Sequence, residues 1–132
     1  MQKEDGGWDS GWGTDADTTA LALQALVTCG TPLTSTVIVS GTAYLKAHQT
    51  DSGGFFSTDA GSPGADTTTY VLQSLIAIGQ NPLSAEWVVN GHSPLDALMA
   101  FQLPSGAFEF QQGLGENAMS TAKAIPALLG KP

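Results

Sequence analysis

Four aspartates crowd the first loop of the chain, Asp5, Asp9, Asp15 and Asp17, interleaved with Gly6, Gly7, Gly11 and Gly13. Carboxylates in a glycine-rich loop are hard oxygen donors and could hold calcium, and Asp51 with Asp59 repeats the theme faintly. The spacing departs from an EF-hand, which needs acids at alternate positions ahead of an obligatory glycine. Solvated, turn-forming aspartates are therefore the expectation, with calcium at Asp5, Asp9, Asp15 and Asp17 as the alternative. Cys29, His48 and His92 are the remaining metal-ligating side chains, and no pair of them has zinc-site spacing, so no metal centre is expected. Cys29, the single cysteine, closes an apolar run and reads as a small buried hydrophobe. Trp8, Trp12 and Trp87 could form an aromatic platform for a sugar or lipid. Trp8 falls at a repeated position and is assigned to the core, which leaves Trp12 as the candidate ligand-binding aromatic.

The chain that must position these groups has 132 residues, 42% hydrophobic and 12% charged, enough for one compact domain with a core of its own. Four lysines, no arginine and twelve acidic residues give a net charge of -8. That balance cannot neutralise a run of phosphates, so nucleic acid is excluded as a partner, and it gives no grip on a diphosphate. The longest apolar runs, Ala20 to Val27 and Val71 to Ile78, fall far short of a membrane span. An acidic, arginine-free, Thr- and Gly-rich composition fits an extracellular or cell-surface bacterial protein.

Self-comparison organises the chain into three units beginning about residues 2, 49 and 102. Asp17 to Gly30 matches Asp66 to Gly79 without a gap, and Asn117 to Gly130 has the same length and ends. Ahead of each lies a Gln–Gly–aromatic element: Gln2-Lys-Glu-Asp-Gly-Gly-Trp8, Gln49-Thr-Asp-Ser-Gly-Gly-Phe55 and Gln102-Leu-Pro-Ser-Gly-Ala-Phe108. Asp17, Asp66 and Asn117 read as helix N-caps, and Gly30, Gly79 and Gly130 as left-handed residues closing the same helices. Apolar residues all round these three helices, such as Leu21, Leu23, Leu26 and Val27, mark them as inner helices. Two one-sided segments are outer helices, one with Val37, Ile38, Gly41, Tyr44, Leu45 and His48, the other with Leu95, Leu98, Met99 and Gln102. A short strand over Val37-Ile38-Val39 is the alternative by propensity. Ser93, Pro94 and Asp96 supply a cap, a pre-set first residue and a third-position carboxylate for the second outer helix, and Asn90-Gly91 reads as a turn. Pro126 stands where Leu26 and Leu75 stand in the other units and is expected to kink the last inner helix.

Tyr44-Leu45-x3-Gln49-x3-Gly53-Gly54-Phe55, and the shorter Leu98-x3-Gln102-x3-Gly106-Ala107-Phe108, resemble the Gln–aromatic repeat of squalene and hopene cyclases and protein prenyltransferase β subunits. The resemblance covers nearly the whole chain. It implies an all-α fold, an α/α toroid of which this chain supplies about half a ring: three inner helices, two outer helices and glycine-rich loops. It also implies that each glutamine ties the end of an outer helix to the next loop. Asp15-Ala16-Asp17-Thr18 resembles the Asp-x-Asp-Asp motif of class II terpene cyclases, with Thr18 in place of the third acid. In those enzymes a carboxylic acid held protonated by neighbouring carboxylates and an apolar cavity protonates an alkene or epoxide. Asp17 would be the donor and Asp15 its partner.

Because Asp17 recurs as Asp66 and Asn117, service to the repeat outweighs a single reaction. The expectation is therefore a non-catalytic binding or scaffold module, residues 1–132 forming one repeat domain cut from a longer chain. No catalytic residue and no cofactor is expected; Trp12, Asp15 and Asp17 are the candidate ligand-binding residues. The expected partners are the rest of the parent chain or a second copy completing the toroid, and a small hydrophobic ligand. A cyclase fragment acting through Asp15 and Asp17 is the alternative, and a ligand module resembling the toroid half of cobalamin carriers the third.

Overall fold

The computed structural model describes residues 1–56 and 63–132. Among them are five helices, α1 (Ala16–Thr28), α2 (Thr36–Ala47), α3 (Ala65–Ala77), α4 (Pro94–Met99) and α5 (Ala118–Leu128). A two-stranded antiparallel ribbon, β1 (Trp8–Asp9) and β2 (Thr14–Asp15), precedes them, pairing Trp8 with Asp15 and Asp9 with Thr14. The fold is thus mostly helical rather than purely so. The ribbon exists because Gly11 and Gly13, at φ 106° and 117°, turn the chain back within four residues.

Helix α3 lies in the middle, packed against α1 on one side and α5 on the other, while α2 rests on α1 and α4 on α3. The burial pattern follows from that placement. Val71, Leu72 and Leu75 of α3 are all buried, on more than one side of the helix. In α1 only Leu23 of the four expected apolar positions is fully buried, and Leu21 is exposed because no helix covers that flank. Two apolar clusters result. One joins Leu23, Ile38, Tyr44, Leu45, Phe55, Val71, Leu75 and Trp87; the other joins Leu72, Leu98, Phe101, Phe108 and Ala124. Each fully buried leucine in them contributes about 1.5–3 kcal/mol relative to an exposed one.

Helices α1, α3 and α5 stop in the same way. Gly30, Gly79 and Gly130 have φ of 85°, 75° and 64°. Their N–H groups donate to Val27, Ile76 and Ala127, and the next residues Thr31, Gln80 and Lys131 donate to Leu26, Leu75 and Pro126. That pair of bonds is a Schellman motif, and it consumes carbonyls the helix end would otherwise leave bare. Pro126 does not end α5, which runs on to Leu128; in the last turn a proline forfeits one backbone bond while its carbonyl still accepts from Lys131.

The starts differ from expectation. The N-caps are Asp15, Gly64 and Asn117, not Asp17 and Asp66, which lie in the first turn of α1 and α3. Only Asn117 caps as expected, accepting from the amides of Met119 and Ser120. The reason is a register change: α5 has 11 residues against 13 in α1 and α3, so units aligned by their terminal glycines are misaligned at their beginnings. Asp17 and Asp66 still lie where the helix dipole favours a negative charge.

Helices α2 and α4 and the segments that lead into them are unequal. Helix α2 is continuous and buries Ile38, Gly41, Tyr44 and Leu45, so Val37-Ile38-Val39 is helix rather than strand. In the second unit the corresponding stretch is turn, with Trp87 buried, followed by the Val89–His92 bridge closed through Asn90 and Gly91, both at positive φ. Helix α4 then has six residues, started by a full capping box between Ser93 and Asp96. Met99 and Gln102 are exposed rather than on a buried face.

Candidate functional site

The loops that carry the candidate residues are wired three times over. Gln2, Gln49 and Gln102 each bridge the aromatic six residues on, Trp8, Phe55 and Phe108. Their side-chain amides donate to the carbonyls of Gly6, Gly53 and Gly106. Each aromatic amide then donates to a threonine hydroxyl in the helix that follows, α1, α3 or α5: Trp8 to Thr19 at 2.9 Å, Phe55 to Thr68 at 3.3 Å, Phe108 to Thr121 at 2.8 Å. These threonines stand four residues after the N-caps and give the correct register of the units. The sequence does not single them out, because threonine is an ordinary helix residue and the last of them falls two residues out of line.

The acidic loop is satisfied from within. Asp5 accepts from the Gly7 amide and the Thr14 hydroxyl, and these bonds hold its carboxyl below the usual range, the Thr14 bond most of all. Asp9 accepts from Gly11 and Gly13 and pairs with Lys3 at 3.1 Å, which draws its pKa down to about 2. Asp15 is buried, and both its oxygens are engaged by Thr18, through the amide at 2.6 Å and the hydroxyl at 3.0 Å. Among the described residues no three His, Cys, Asp or Glu side chains converge as metal ligands. Asp59 lies outside the described residues. Cys29 caps α1 and is exposed, not buried, because the Schellman turn swings it off the apolar face.

Trp12 occupies the tip of the β1–β2 turn, 92% exposed, whereas Trp8 packs against the first cluster and Trp87 lies wholly inside it. Asp15 ends the same ribbon. Thr14, Asp15, Ala16, Tyr44, His48 and Phe56 enclose a cleft of about 160 Å³. His48 stacks on Tyr44 with ring centres 4.0 Å apart and points Nδ1 at the Tyr44 carbonyl.

Asp17 belongs to a different cluster. Burial pushes its carboxyl up; the Thr67 hydroxyl opposes this, and the charges of Asp15 and Asp66 add to it. Asp66, on the facing turn of α3, is buried and pairs with Lys123 of α5. The Lys123 ammonium also lies 5.1 Å from the centre of the Tyr70 ring. Burial tends to lower its pKa, but the Asp66 and Tyr70 contacts prevail and raise it, so it stays charged. One oxygen each of Asp17 and Asp66 is buried without a partner. The group favours the protonated form of Asp17 more than water does and ties α1, α3 and α5 together. Lys123 is hard to find as a partner from sequence because it lies 57 residues from Asp66; a lone charge inside an otherwise uncharged helix is the available signal. No protein-family model matches the chain, and no characterised protein matches it in sequence.

Proposed function

We propose that the chain is a non-catalytic binding or scaffold module of a secreted or cell-surface bacterial protein, its units arranged as part of an α/α toroid akin to that of squalene and hopene cyclases. The threefold Gln–Gly–aromatic–Thr wiring supports the repeat reading, as does the side-by-side order of α1, α3 and α5 with α2 and α4 laid against them. The acidic, arginine-free composition supports an extracellular setting. Of the three candidate residues Trp12, exposed at the tip of the β1–β2 turn, is the ligand-facing one in this reading, for a small hydrophobic ligand; Asp15 is turned to its cap and Asp17 to Asp66 and Lys123. The rest of a parent chain or a second copy is the partner that completes the ring.

One observation carries the non-catalytic assignment. Asp15 and Asp17, which a cyclase would aim together at its substrate, are divided between different tasks: Asp15 is spent capping α1 beside a cleft of about 160 Å³, and Asp17 faces Asp66 and Lys123. Ligand pockets for drug-sized molecules hold roughly 300–1,000 Å³, and a polyisoprenoid needs the upper end of that range. The raised pKa of Asp17 favours the second reading, a class II terpene cyclase fragment with Asp17 as proton donor. Incubation with squalene, oxidosqualene and geranylgeranyl diphosphate, read by gas chromatography and mass spectrometry, separates them. No cyclised product is expected; a product formed by the native chain and lost in Asp17→Asn would replace the binding-module reading with the cyclase.

A further inference from the structure

In the first two units the loop glutamine and glycine hold an outer segment by its backbone. Gln2 Nε2 donates to the Val37 carbonyl at 3.0 Å as well as to its own loop, and Gln49 Nε2 donates to the Trp87 carbonyl at 2.7 Å. The loop glycines let that segment come close: a Cβ on Gly6 would lie 2.4 Å from the Ser40 carbonyl oxygen, and one on Gly53 would lie 2.6 Å from that of His92. The third unit has the same two groups with nothing among the described residues against them. Gln102 is exposed and among the described residues its amide keeps one bond, to Gly106 at 3.2 Å; a Cβ on Gly106 would meet none of their atoms within 4 Å. Beside them runs an open groove of about 480 Å³ along α5, lined by Ala107, Ala118, Thr121, Ala122 and Ile125.

We infer that this groove is a helix-docking site, whose occupant is an amphipathic polypeptide helix of the α2 type, with a first-turn carbonyl set to accept from Gln102. The first slot, filled by α2, specifies a helix with a first-turn carbonyl, and the second, filled by the Trp87 turn ahead of α4, repeats the glutamine-to-carbonyl bond. They also specify a size limit. Gly7 leaves room for the Tyr44 ring, and a Cβ there would lie 2.6 Å from it; Gly54 faces the small Ala97. The third unit has Ala107 at this place, so the docked helix carries a small residue opposite it, as α4 does. The inference rests on the binding-module reading only in naming its partner; cyclase activity could be found or excluded without touching it.

The test uses the whole chain and a fluorescent peptide of residues 31–48 carrying Tyr44→Ala, stapled on its solvent face so that helix ordering costs little on binding. Saturable binding is expected, weakened about tenfold by Gln102→Ala, the equivalent of one hydrogen bond. It should be abolished by Ala122→Trp, which fills the groove from an exposed position. The peptide that retains Tyr44 should bind more weakly than the Tyr44→Ala peptide. Circular dichroism establishes that both protein variants stay folded. No saturable binding up to millimolar peptide, or binding indifferent to both substitutions, overturns the inference. So does self-association that Ala122→Trp abolishes but the peptide does not compete with, since the groove would then receive a different surface of a second copy.

Discussion

Replacing Gly53 and Gly106 by alanine, one at a time, separates a packing demand from a backbone demand at equivalent loop positions. Both residues are left-handed, with φ of 81° and 88°. A side chain there costs about 1–2 kcal/mol whatever surrounds it. Stiffening of the unfolded chain is common to both replacements and cancels in the comparison. At Gly106 the new methyl group enters open space, so the cost ends there. At Gly53 it would lie 2.6 Å and 2.7 Å from the carbonyl oxygens of His92 and Ser93, both backbone atoms that cannot swing aside. Overpacking of this kind adds roughly 1–3 kcal/mol, because the second outer segment must be pushed off the loop. Gly106→Ala should therefore lower stability by about 1–2 kcal/mol and Gly53→Ala by about 2–5 kcal/mol. At about 3–5 °C per kcal/mol for a chain of this size, the melting temperatures fall by about 3–10 °C and about 6–25 °C respectively. Thermal and urea unfolding, followed by circular dichroism in one buffer, reads both. Equal shifts for the two variants would refute the claim that outer-segment backbone presses on the second loop and not on the third.

The same contrast applies to the glutamines: Gln49→Ala loses bonds to Gly53 and Trp87 and should cost about 2 kcal/mol by urea unfolding, whereas exposed Gln102→Ala should cost less than about 1 kcal/mol. Lys123→Met strands buried Asp66 and should destabilise by about 2 kcal/mol, below the range for fully buried pairs because the lysine side chain is 27% exposed; an unchanged urea midpoint would remove the pair from the account. Asp17 has a pKa above its unfolded value of 3.8, so the folded chain holds that proton more tightly and stability falls as pH rises from about 3.8 through the folded value. Asp17→Asn should abolish this fall, giving little change near pH 3 and a gain near pH 7, as unfolding free energies at the two pH values would show. Asp9, with a pKa near 2, works the other way: its contribution is present above about pH 4 and is lost as pH falls through about 2, so Asp9→Asn should flatten the acid limb of the unfolding profile.

The ends of α1, α3 and α5 were legible in the sequence because a left-handed residue followed by proline leaves few alternatives to glycine at the stop; Gly30, Gly79 and Gly130 hold the expected places. Their starts were less legible. Asp, Asn and Thr all serve as caps, and the two-residue shortening of α5 shows only once the Thr19, Thr68 and Thr121 hydroxyls are seen on equivalent backbone amides. The Ser93–Asp96 box was readable as a motif, yet the outer segment before it was not, since burial of Trp87 in a turn is a tertiary outcome with no local pattern. For the candidate site, Asp15 and Asp17 stand out by spacing, but spacing along a helix does not say which way each acid turns. The structure gives Asp15 to its own cap and Asp17 to a cluster with Asp66 and Lys123, groups brought in from α3 and α5. Cys29 illustrates the converse error, for an apolar run predicts burial only up to the residue where the chain turns off the core.

Hydrogen exchange of the glutamine side-chain amides, followed by NMR, tests the repeated wiring most directly. Slow exchange is expected at Gln2 and Gln49, whose Nε2 protons are held between their own loop and the Val37 or Trp87 carbonyl, and fast exchange at exposed Gln102. Equal protection of all three, or fast exchange at Gln2 and Gln49, would contradict both the clamping of the outer segments and the openness of the third slot.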